Sequence, residues 1–104
     1  MSLLLLLACS AEQPWFHGSW RLVAQTIATQ TVEVSGPVLE LEEDSWVWDG
    51  VPSTCLATEV TADSALLTVS AADGRSFTTS AQLDAEDLVL RQGEHMVHRL
   101  ESLQ

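Results

Sequence analysis

Pro14-Trp15-Phe16-His17-Gly18-Ser19-Trp20-Arg21-Leu22 marks the point where this chain changes character. From Trp20 onward, apolar and polar residues alternate with a period of two rather than 3.6, the pattern of half-buried strands. Trp20, Leu22, Ala24, Thr26 and Ala28 are expected on one face, with Arg21, Val23, Gln25 and Ile27 on the other. The run from Thr26 to Val34 is dense in β-branched residues, which favour strand, and Gly36-Pro37 breaks it. Val38-Leu39-Glu40-Leu41-Glu42 alternates cleanly, with both leucines inward. Glu43-Asp44-Ser45 turns the chain into Trp46-Val47-Trp48, whose two indoles share a side.

Asp49-Gly50 and Val51-Pro52-Ser53 read as a turn or loop. Strands are expected from Cys55 to Thr61 and from Ala65 to Ser70, then from Arg75 to Leu83 across Asp73-Gly74, the strongest hairpin signal in the chain. Leu88 to Arg91 and His95 to Glu101 complete the set. The fold class expected is all-β: an up-and-down antiparallel meander of about eight short strands over residues 15–104, at the 8–12-residue spacing typical of such folds.

The chain has 104 residues, room for one domain, with fifteen acidic residues, four arginines and no lysine, for a net charge of −11. A chain this size buries only ~60–65% of its unfolded surface, so each inward apolar residue counts. The charge repels nucleic-acid phosphates and anionic headgroups, so no nucleic-acid partner is expected, and it favours a soluble monomer.

Residues 1–8 hold an apolar run, Leu3 to Ala8, far below the ~18–20 residues that span a bilayer. Leu6-Leu7-Ala8-Cys9 resembles the lipobox of bacterial lipoproteins, in which a peptidase cuts before a cysteine that carries lipid. The resemblance implies lipidation of Cys9, a polar tether over residues 9–14, and a membrane partner reached through the lipid. Ser10 after Cys9 resembles the sorting preference for the outer membrane, facing the periplasm. The alternative is a Cys9–Cys55 disulfide, which lipidation would exclude.

Chemistry-bearing patterns are sparse. On a strand, His95 and His98 point to opposite faces, whereas zinc wants three or four convergent ligands. There is no Gly-x-Ser-x-Gly elbow, no Cys-His pairing with an orienting group and no glycine-rich phosphate loop. Neither an enzyme nor a cofactor is expected. Trp46 and Trp48 read as a core layer closing one end of the fold, with an aromatic binding patch as the other reading.

With Gly18-Ser19-Trp20 opening the first strand, two acidic turns leading into leucine-rich strands, and His98-Arg99-Leu100 in the last, the pattern resembles the lipocalin-like domains of small bacterial lipoproteins. That resemblance implies a closed barrel in which Trp20 packs at the closed end against Arg99, a structural cation–π pair. The strands are short and the aromatic residues bulky, so a filled interior is expected of an eight-stranded barrel. Two functions stay open: a lipid-anchored cell-envelope protein binding a small apolar ligand, or a periplasmic protein-interaction module such as an inhibitor, immunity or assembly factor.

Overall fold

A computed structural model describes residues 15–103. Cys9, the proposed signal segment 1–8 and the tether 9–14 lie outside the described residues. The rest is all β: β1 (Gly18–Ile27), β2 (Gln30–Glu33), β3 (Val38–Glu42), β4 (Ser45–Trp48), β5 (Val51–Thr58), β6 (Ser64–Ala71), β7 (Ser76–Asp84), β8 (Asp87–Gln92) and β9 (Met96–Ser102). Every pairing is antiparallel, in the order β2-β1-β3-β4-β5-β6-β7-β8-β9, and β1 pairs back onto β9. Eight strands therefore close a barrel, and β2 stands outside the ring as an extra strand on the far half of β1. Closure removes the end edges that an open meander of the eight ring strands would present, and the short β2 keeps one unpaired edge.

The alternation read from the sequence sets what faces inward. Leu39 and Leu41 stand opposite Trp48 and Trp46, and Cys55 opposite Val69. Ala65 and Leu67 face Ala81 and Thr79; Leu88 and Leu90 face Leu100 and His98. Leu39, Leu41, Leu67, Leu88, Leu100 and Val69 are the largest fully buried side chains. Each buried leucine contributes on the order of 2 kcal/mol, an upper figure because an unfolded chain already buries some of it.

Two turns depart from expectation. The stretch Thr26 to Val34 is not one strand: the chain reverses at Ala28-Thr29, with Ile27 opposite Gln30. Ala28 takes a left-handed φ of 59° and its N–H donates to His95 O at 2.8 Å. No Gly, Asn or Asp advertises this turn. Val51-Pro52-Ser53 is strand rather than loop, paired to Trp46-Val47-Trp48. Proline is tolerated there because pairing with β6 begins only at Ser53. The two-residue turn is Asp49-Gly50, with φ of 53° and 83°, as a type I′ turn requires. Asp73-Gly74 instead sits in a longer loop, where Gly74 N–H bonds Ala71 O at 3.1 Å.

A third departure reshapes β1. Leu22 stands opposite Leu100, but Ala24 stands opposite Arg99, so Val23 is the extra residue of a β-bulge. The bulge moves the inward row from Trp20 and Leu22 to Gln25 and Ile27, and Ala24 and Thr26 turn outward. The link between β2 and β3 wraps this bulge: Val34 N–H bonds Val23 O and Gly36 N–H bonds Leu22 O. A side chain at residue 36 would put its Cβ 2.9 Å from Leu22 Cδ2, so glycine is needed for the approach.

Candidate functional site

The barrel's two ends differ. At one end the chain enters through Trp15 and Phe16, which cross beneath the strands. Phe16 is 2% exposed and packs in the core cluster. The Trp15 indole donates to Thr61 O at 3.0 Å, in the β5–β6 turn. The buried Trp20 indole donates to Phe16 O at 2.9 Å. The last strand is tied to the same end by Leu103 N–H on Ser19 O at 3.0 Å. This end is sealed.

The opposite end is hollow. A cavity of about 470 Å³ opens between the tops of β4, β5, β7, β8 and β9. The expectation of a filled interior holds through the core cluster and is corrected only at the open end, where a hollow open to solvent remains. Strand tops supply the reason. From β4 and β5 come Trp46, Trp48, Val51 and Ser53; from β7 come Phe77 and Thr79. Trp46 and Trp48 lie near-parallel with centroids 6.5 Å apart, and Phe77 meets Trp46 edge-on at 5.7 Å. Because β4 lies three places from both β7 and β9 in the ring, the Trp46–Phe77 and Trp48–His98 contacts reach across the interior, and the cavity opens beside them. Trp46 belongs to the buried core, as expected, but Trp48 is half-buried and lines the cavity.

The facing wall is more polar. β8 and β9 present Leu90, Gln92 and His98. The His98 ring meets Trp48 at 6.1 Å with an interplanar angle of 65°. Burial pushes its pKa below the usual histidine value, because desolvation disfavours the imidazolium. His98 is therefore neutral near pH 7. Thr79 is buried and donates to Arg91 O at 3.0 Å. Around the mouth, Val51 and Ile27 are exposed, and a second open hollow of about 600 Å³ runs along Ile27 and Val32 of the β1–β2 hairpin and Val34 beyond it.

The structure does not bring Trp20 and Arg99 together, which corrects the cation–π expectation. Trp20 lies inside, opposite Ser102 on β9; Arg99, next to the inward Leu100, points outward opposite Ala24. Its guanidinium bonds Asp87 at 2.7 Å and also pairs with Asp84, the two ends of an acidic turn. The hydrogen bond to Asp87 is the first cause holding its pKa above the ordinary value. Two carboxylates satisfy a guanidinium better than an indole face does.

His95 lies in the β8–β9 turn and is exposed, while His98 faces the cavity. Alternation puts the two on opposite faces, and only the closed topology shows which face is interior. Cys55 is a buried free thiol inside the barrel, and burial raises its pKa. Among the described residues, no cluster of three or more His, Cys, Asp or Glu could hold a metal ion. No family model, curated protein or solved structure matches the chain.

Proposed function

We propose that this protein is a small-molecule-binding barrel that takes an apolar ligand into its open end, carried on a lipid-anchored cell-envelope chain. What supports the binding half of the reading is the cavity of about 470 Å³ above a sealed core. It falls within the ~300–1,000 Å³ of small-molecule sites, which are mostly apolar with a few placed polar groups. Paving by Trp46, Trp48 and Phe77 offers large contact area at low conformational cost. The anchoring half rests on Leu6-Leu7-Ala8-Cys9 alone.

Binding works without chemistry in this account. The apolar body of a ligand displaces water from the indole and phenyl faces, and the sealed half holds the walls in place. For an occupant of on the order of fifteen non-hydrogen atoms, at roughly 30 Å³ each by analogy with liquid water, a Kd of about 1–100 µM is expected. Titration of the protein with 1-octanol should shift the tryptophan emission saturably. A linear, unsaturable response would remove the binding reading. For the anchor, the mature protein should carry acyl mass on a chain that starts at Cys9, and Cys9→Ala should abolish it. An unprocessed, unacylated chain would remove that half.

A further inference from the structure

We propose that the open-end cavity selects an uncharged, largely apolar molecule with one hydrogen-bonding end, and rejects the same apolar body when it carries an anionic group. The inference rests on the cavity being a binding site and specifies the charge and polarity of its occupant.

Three observations carry it. First, none of the four arginines lines the cavity: Arg21, Arg91 and Arg99 line hollows on the outer face, and Arg75 is paired with Asp73 at 2.7 Å. An anion entering would lose its water with no cation to receive it, and an unpaired buried charge is far costlier than a neutral polar group. Second, Asp49 and Glu94 occupy turns that frame the open end, where Asp73 is matched by Arg75, on a chain of net charge −11. The field at the mouth therefore opposes an approaching anion.

Third, the cavity's polar groups are few and neutral: Gln92 and His98 stand on one wall, and the Ser53 and Thr79 hydroxyls on the other, that of Thr79 already donating to Arg91 O. Gln92 and His98 point inward from adjacent strands, opposite Met96 and Leu90 respectively. Both side chains are half-buried, and among the described residues no buried side-chain nitrogen or oxygen is left unsatisfied, so their polar ends are free to meet solvent or a ligand at the open end. An amide both donates and accepts, and so does a neutral imidazole. A ligand hydroxyl, amine or carbonyl placed there meets a partner, while its apolar body lies on Trp46, Trp48 and Phe77. No other titratable side chain lines the cavity.

The test compares two probes that share one aromatic body: N-phenyl-1-naphthylamine, which is neutral, and 8-anilinonaphthalene-1-sulfonate, which adds a sulfonate. Both are titrated into the full chain at neutral pH, reading probe emission and tryptophan quenching. The neutral probe should bind at least about tenfold more tightly, a difference set by the unpaired charge. Ser53→Trp, which fills the cavity, should abolish saturable binding of the neutral probe. Gln92→Arg, which supplies a cation, should bring the sulfonate to within about threefold of the neutral probe.

Equal or tighter binding of the sulfonate by the native chain would overturn the selection for uncharged ligands while leaving the cavity a binding site. Binding of neither probe would overturn the binding-site reading as well, as would neutral-probe binding that survives Ser53→Trp in a folded variant.

Discussion

The sealed half and the open half of this barrel obey the same in-out alternation and end differently. In the sealed half, Leu39, Leu41, Leu67, Leu88 and Leu100 point at the axis and leave almost no exposed surface. Phe16 plugs the end beneath them. In the open half, the same inward positions carry Trp48, Val51, Phe77, Gln92 and His98 around an unfilled volume. Flat aromatic side chains serve both halves, since Phe16 and Trp20 fill the sealed end while Trp48 and Phe77 line the cavity. Alternation therefore places a residue inside, and its height along the barrel decides whether the inside is core or cavity.

The largest test of that contrast lies at the plug. Phe16→Ala should cost about 3–5 kcal/mol in denaturant unfolding, because the Phe16 ring is 2% exposed and packs in the core. A loss below about 1 kcal/mol would mean that the sealed end is not sealed by this segment. Leu67→Ala should follow at about 2–5 kcal/mol. Val51→Ala at the mouth should change stability by less than about 0.5 kcal/mol, since Val51 is 65% exposed. Equal losses at the two positions would erase the distinction between the halves.

Arg99→Ala should cost less than about 1 kcal/mol, because the Arg99 side chain is 38% exposed and its pairs with Asp84 and Asp87 are screened by solvent. A larger loss would indicate that Arg99 carries part of the closed end after all. The smallest effect belongs to His98. Its folded pKa lies below the unfolded value near 6.5, so the unfolded chain takes up its proton first as pH falls. The stability linked to this group is complete above about pH 6.5 and lost as pH drops through the folded pKa. His98→Gln should flatten the pH dependence of Tm in that window, and an unchanged slope would show that His98 is not desolvated.

Much of the barrel can be read from residue order, and the reason is local. The pairs Leu39/Leu41, Trp46/Trp48 and Leu88/Leu90 each alternate within a few residues, and acidic turns punctuate them. What escapes is whatever depends on a neighbour distant in sequence. The Val23 bulge has no glycine or proline to announce it, and it follows from the need of β1 to pair with β3, β2 and β9 at once. The Ala28-Thr29 turn uses a non-glycine residue at positive φ, held by His95 O from another hairpin.

The candidate site was legible only in part. The shared side of Trp46 and Trp48 follows from their spacing. That His98 reaches the same cavity depends on the position of β9 in the ring and on Trp48 leaning toward it. Arg99 shows the opposite case: its expected partner Trp20 came from a family resemblance, whereas the acidic turn Asp84-Ala85-Glu86-Asp87 claims its guanidinium.

The contrast between a filled half and a hollow half is tested most directly by following backbone and indole N–H resonances during titration with N-phenyl-1-naphthylamine. The account predicts saturable shifts concentrated at Trp46, Trp48, Phe77, Gln92 and His98, with Leu39, Leu67, Leu88 and Leu100 unmoved. Shifts centred on the leucine-filled half, or no saturable shift at any residue of the open half, would contradict it.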